Sequence, residues 1–109
     1  MHELGLTQEI LEIVTQRAQE RKVKRVVLEI GKLSCVLPDA IRFCFDLCAE
    51  GTLAEGAQLE IIQPPGRGRC RQCGAEFDLH AVLAHCVCGS GDVEWLCGEE
   101  LKIRTMEIA

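Results

Sequence analysis

Residues 64–98 read PPGRGRCRQCGAEFDLHAVLAHCVCGSGDVEWLCG, and this stretch decides the fold. Pro64 and Pro65 cannot sit inside a central strand ladder, because each removes a backbone donor, so the regular structure before them must stop. Gly, Arg and Cys then take over, and the apolar residues lose their period. From Glu100 to Ala109 alternation returns, with Leu101, Ile103 and Thr105 set against Lys102, Arg104, Met106 and Ile108. The chain thus leaves a sheet at the proline pair, builds a small Cys-rich unit and rejoins the same sheet. Residues 1–65 plus 99–109 are expected to form one α+β domain, and residues 66–98 an inserted minidomain.

Upstream of the prolines the periods are clear. Residues 4–22 predict an amphipathic helix: Leu4, Leu11, Val14 and Ala18 recur at helical spacing, and Ile10 and Ile13 widen the stripe. Glu9, Glu12, Gln16, Arg17 and Glu20 fill its solvated side. Lys24–Lys32 changes to a two-residue period, Val26, Leu28 and Ile30 alternating with Val27, Glu29 and Gly31, which is a strand. Pro38 suits the first turn of a second helix, where its missing N–H costs nothing. Ile41, Phe45 and Cys48 share one face of that helix, Phe43, Cys44 and Leu47 broaden it, and Gly51 is its stop. Leu59, Ile61 and Gln63 form the second strand. The expected architecture is two helices packed on a three-stranded sheet, with the Cys-rich unit between strands two and three.

Composition bounds the function. At 109 residues the chain is too short for a multidomain enzyme. Hydrophobic residues at 48% exclude a disordered tail, and aromatics at 4% disfavour a stacking platform for single-stranded nucleic acid. Twelve basic against 17 acidic residues give a net charge of −5, the wrong sign for tracking phosphates. No apolar run approaches the ~20 residues that span a bilayer, and the opening MHELGLTQEI carries acid where a secretory signal carries base. A cytoplasmic, reducing location is expected, where clustered cysteines bind metal more often than they pair.

Of the eight cysteines, four form two clusters. Cys70-Arg71-Gln72-Cys73-Gly74 is a knuckle: two intervening residues let both sulfurs reach one ion at about 2.3 Å, and Gly supplies the positive φ that closes the turn. His85-Cys86-Val87-Cys88-Gly89 reads two ways, as a Cys86/Cys88 pair or as His85/Cys88 at the commoner spacing. Thiolate outcompetes imidazole for structural zinc, which favours Cys86. Either set closes a tetrahedral zinc site with no open position. A redox Cys-x-x-Cys lacks its βαβ context here, and a unit with so little core needs a metal staple. Cys35, Cys44 and Cys48 sit in or beside apolar patterning and read as small buried hydrophobes; Cys97 has no assigned role.

Met1-His2-Glu3 is the second unusual feature. The Met1 amine, the His2 backbone nitrogen and the His2 Nδ1 can close fused chelate rings around one ion. The Glu3 backbone nitrogen or carboxylate can add a fourth donor. Nitrogen-rich, roughly planar sets suit Ni(II) or Cu(II). An amine of pKa about 7.7–8.0 must lose its proton first, so affinity should rise with pH near neutrality.

With both features present, the chain resembles the hydrogenase nickel-incorporation family HypA/HybF. The likeness runs through Met1-His2-Glu3-Leu4, Leu28-Glu29-Ile30-Gly31-Lys32-Leu33-Ser34-Cys35, Arg42-Phe43-Cys44-Phe45-Asp46-Leu47, Gly51-Thr52-Leu53-Ala54-Glu55-Gly56-Ala57, the first knuckle and Glu107-Ile108. The resemblance implies a small cytoplasmic nickel metallochaperone that works with a nickel-insertion GTPase resembling HypB to load the hydrogenase large subunit, and in some organisms urease. It implies nickel at His2 with Met1 and Glu3 assisting, and structural zinc at Cys70, Cys73, Cys86 and Cys88. This chain departs from the family's Cys-Pro-x-Cys: Cys86-Val87-Cys88 lacks the proline and is one residue shorter.

The rival reading is a zinc-ribbon adaptor whose Arg67, Arg69 and Arg71 touch nucleic acid or a transcription protein. No P-loop and no nucleophile–base–orienter set is present, so the chain does not read as an enzyme.

Overall fold

The computed structural model describes residues 2–109. Met1, one of the three expected nickel-site residues, lies outside the described residues. The elements are α1 (His2–Ala18), β1 (Val23–Ile30), α2 (Pro38–Ala49), β2 (Gln58–Ile62), β3 (Gly66–Cys70), β4 (Glu76–Leu79), β5 (Val93–Cys97) and β6 (Leu101–Ile108). They make two three-stranded sheets, ordered β2-β1-β6 and β4-β3-β5. Two compact units emerge. One comprises the residues up to Leu28, Val36–Ile61 and Lys102–Ala109; the other comprises Glu29–Cys35 and Ile62–Leu101.

In the first unit, most of the predicted stripe of α1 is buried: Ile10, Leu11, Val14 and Ala18 are buried and Leu4 is half-buried, but Ile13 is exposed along with Glu9, Glu12, Gln16, Arg17 and Glu20. The helix packs on α2, which contributes buried Ile41, Cys44, Phe45 and Ala49. Each fully buried aliphatic or aromatic side chain stabilises by about 1.5–3 kcal/mol. In β1, Val26 and Leu28 are fully buried, and Val27 on the alternate face is buried too. That double burial suits a central strand. On β1, Arg25 pairs with Glu60 of β2 and, at 3.3 Å, with Glu107 of β6. Such exposed pairs contribute little energy, but they link the centre strand to both neighbours.

Several details depart from the expectations, among them Phe43 and Leu47, which were expected to broaden the apolar face of α2 but are exposed. The first helix ends at Ala18 rather than residue 22, because Gln19 and Glu20 take positive φ of 50° and 68°. Ala18 is also the last buried position of the stripe, so nothing apolar extends the helix further. Cys35 is exposed at φ 61°, not a buried hydrophobe, and Cys48 is only half-buried; Cys44 alone of the three is buried. Residues 66–97 are also more regular than the loss of apolar period suggested.

The second unit explains that regularity. Its strand β3 does alternate, but with Gly and Cys inside and Arg outside: Gly66, Gly68 and Cys70 are buried, Arg67 and Arg69 exposed. It lies antiparallel between β4 and β5, with Gly68 opposite Phe77 and Trp95. A Cβ on Gly68 would stand 2.7 Å from both Leu79 Cδ1 and Val93 Cγ1, so the packing of those two side chains requires glycine. The outward arginines face carboxylates in register: Arg67 bonds Asp78 at 2.6 Å, and Arg69 reaches Glu76 at 3.4 Å.

Gly68→Ala should therefore destabilise the second unit by about 1–3 kcal/mol through overpacking. Amide exchange of the metal-loaded protein would show faster opening across β3–β5; unchanged protection would mean that Leu79 and Val93 yield without cost.

Candidate metal centre

The end of β3 and two tight turns bring four sulfurs together. Cys70 closes β3, and its N–H and C=O bond Ala75 O and Gly74 N at 2.9 Å each. The Cys73 N–H donates to Cys70 Sγ at 3.4 Å. Gly74 takes φ +79°, the left-handed conformation that lets the turn reverse under the sulfurs. The second turn repeats this frame one residue tighter. Cys86 N–H donates to Ser90 O and Cys86 O accepts from Gly89 N, both at 2.9 Å, with Gly89 at φ +92°. In the first turn those bonds span five and four residues; in the second they span four and three. The residue missing between Cys86 and Cys88 is absorbed by the turn.

One ligand atom each from Cys70, Cys73, Cys86 and Cys88 lies within 4.8 Å of the other three. Cys70 and Cys88 sulfurs stand 3.7 Å apart, Cys73 and Cys86 sulfurs 3.5 Å. Four thiolates at about 2.3 Å around a tetrahedral ion lie about 3.8 Å from one another, so the donor set fits zinc. His85 is not part of this group: Nε2 and Cδ2 of its imidazole lie 3.3 Å from the point where a Cβ would stand on Gly91. Cys70 and Cys86 are buried, while Cys73 and Cys88 face outward.

Without an ion the cluster is electrostatically uneven. The Cys73 backbone N–H, the Gln72 N–H and neighbouring thiols lower the Cys70 thiol to about 6, against a burial penalty. At Cys86 the Cys88 backbone N–H pulls downward, but burial and hydrogen bonds with the thiols of Cys73, Cys88 and Cys70 prevail, raising it to about 12. Crowded thiols cannot all ionise together; a cation lets them.

The remaining candidates fall elsewhere. His2 is exposed as the first residue of α1, and Glu3 is half-buried in its first turn. The first N–H groups of a helix lack intrahelical acceptors. His80 Nδ1 sits 3.3 Å from Lys32 Nζ. Cys97 is exposed on β5. The three arginines considered for polyanion binding are each ion-paired, Arg71 with Asp92 at 2.8 Å. The shorter spacing of Cys86 and Cys88 signalled the tighter second turn; the pairing of the arginines left only the Arg/Gly alternation as a signal.

Fold and site together define a small α+β protein with a four-cysteine cluster that could hold a metal ion. The family model for hydrogenase/urease nickel incorporation, the metallochaperone HypA, matches residues 1–108, and the chain belongs to that family. It is 58% identical to the hydrogenase maturation factor HypA of Nostoc punctiforme over 108 residues, covering 99% of this chain and 96% of that one. With the HypA of Geobacter sulfurreducens the identity is 45% over 109 residues, covering 99% of each. The solution structure of the nickel metallochaperone HypA from Helicobacter pylori shares the fold, with a TM-score of 0.67 at 22% identity over 97% of this chain and 96% of that one.

Zinc binding should release protons, because at neutral pH the Cys86 thiol is still protonated and must lose its proton to coordinate. Below about pH 6 Cys70 is protonated too, so each ion displaces one more proton and affinity must fall more steeply there. Chelator competition across pH 5–8 would measure this; a slope unchanged through pH 6 would contradict it.

Proposed function

We propose that the chain is a nickel metallochaperone of hydrogenase maturation, which holds Ni(II) at its N-terminus through His2, with Met1 and Glu3 assisting. It hands the ion to the hydrogenase large subunit with a nickel-insertion GTPase resembling HypB as partner. Membership of the HypA family supports nickel handling as its task. The observation that carries the site is that His2 opens α1 with an exposed imidazole. Backbone nitrogens free of helical partners lie beside that imidazole, and the Met1 amine completes the set.

In the same reading, Cys70, Cys73, Cys86 and Cys88 hold Zn(II) in a structural role. A closed set of four sulfurs leaves no position for exchange, whereas an exposed terminal chelate loads and unloads readily. The division of labour is a nickel-bearing α+β domain (1–65 plus 99–109) and a zinc-bearing minidomain (66–98). No catalysis is assigned, and the protein acts in the cytoplasm. No helix is long and apolar enough to cross a membrane. The exposed acidic face of α1, with Glu9, Glu12 and Glu20, is the GTPase-facing surface in this reading.

His2→Ala should abolish tight Ni(II) binding in calorimetric titration while leaving zinc content and fold intact, and His80→Ala should change it little. An N-terminal extension should act like His2→Ala, since it converts the amine to an amide, and acidification should release the ion as protons compete for nitrogen. Full nickel affinity in His2→Ala would overturn the reading.

A further inference from the structure

The start of α2 lacks a cap of its own. Leu37 stands at its N-cap with extended dihedrals (φ −85°, ψ 115°) and no side-chain cap bond, and Pro38 follows as the first helical residue. In a capping box, a Glu or Gln at the third helical position reaches back to the N-cap N–H. Here that position is Ala40, which cannot. The acceptor comes from 34 residues earlier: Glu3 Oε2 takes the Leu37 N–H at 3.4 Å. Glu3 is fixed at its backbone as well, because the fully buried Thr7 donates its hydroxyl to the Glu3 carbonyl at 2.7 Å. A carboxylate beside the N-terminus of a 12-residue helix also meets the positive end of the helix dipole.

We propose that the Glu3 carboxylate is a positioning group, which caps α2 at the Leu37 N–H and thereby fixes the first turn of α1 that carries the His2 imidazole. This rests on the nickel reading above and assigns the carboxylate a task other than direct ligation. Glu3 is held at both ends, at its carbonyl by Thr7 and at its carboxylate by Leu37. His2, one residue earlier, keeps its ring in solvent. The pair Glu3 and Leu37 ties α1 to α2 at the end where the metal is to bind, so the donors need less ordering when the ion arrives. Glutamine at position 3 retains a carbonyl oxygen that accepts the same N–H; alanine retains nothing.

Two readouts separate positioning from ligation. In the nickel-free, zinc-loaded protein, hydrogen exchange at the Leu37 amide should be slow in wild type and Glu3→Gln, and about tenfold faster in Glu3→Ala. In Ni(II) titration, Glu3→Gln should stay within about threefold of wild type, and Glu3→Ala should bind about tenfold more weakly. Equal Leu37 exchange in all three proteins would overturn the proposal. So would Glu3→Gln losing as much nickel affinity as Glu3→Ala with Leu37 still protected, since the carboxylate would then be a direct ligand. Failure of the underlying nickel reading is distinct: wild type and His2→Ala would bind nickel alike, while Leu37 exchange still decides the capping role.

Discussion

Four sulfurs held within 4.8 Å of one another are the constraint on which the Cys-rich unit depends. Its sheet buries glycine, cysteine and a single leucine along β3 and β4, which is too little apolar surface to offset the entropy of ordering the chain. The ion pairs on its surface are exposed and individually worth little. In the proposed reading, a zinc ion that converts crowded thiols into thiolates would supply the missing free energy. The hydrogen-bonded turns under each pair serve this end. Both hold a left-handed glycine after the second cysteine, and they differ by one residue without spoiling the convergence of the sulfurs.

The helical unit is built on the opposite principle. Its core is the buried apolar set Ile10, Val14, Val26, Leu28, Ile41 and Phe45. Stability there frees the first turn of α1 for another task. A carrier needs a site that is defined yet open, and in the proposed reading the exposed His2 on a well-anchored helix would meet both needs. The Thr7–Glu3 and Glu3–Leu37 bonds anchor that turn without covering the imidazole. In the proposed reading, softness of the donors would separate the two ions, sulfur retaining zinc and nitrogen suiting nickel.

Much of this was legible in the sequence, for identifiable reasons. Amphipathic period gave α1, Pro38 the start of α2, and the proline pair the end of the strand before the Cys-rich unit, because each is a local signal. The end of α1 was not legible, since Gln19 and Glu20 adopt positive φ without glycine or asparagine to announce it. The strands of the Cys-rich unit escaped because the period in Gly66-Arg67-Gly68-Arg69-Cys70 is carried by glycine, which hydropathy does not register. The choice between His85 and Cys86 turned on a turn one residue shorter than its counterpart, and spacing alone cannot weigh that. The bond from Leu37 to Glu3 joins residues 34 apart and leaves no pattern in either neighbourhood.

In the proposed reading, two metals occupy two chemically distinct sites on one chain. X-ray absorption at the zinc and nickel edges of protein loaded with one equivalent of each ion tests it most directly. Expected are four sulfurs at about 2.3 Å around zinc and a nickel shell of nitrogen and oxygen with no sulfur. Sulfur in the nickel shell, or imidazole nitrogen replacing a sulfur around zinc, would contradict it.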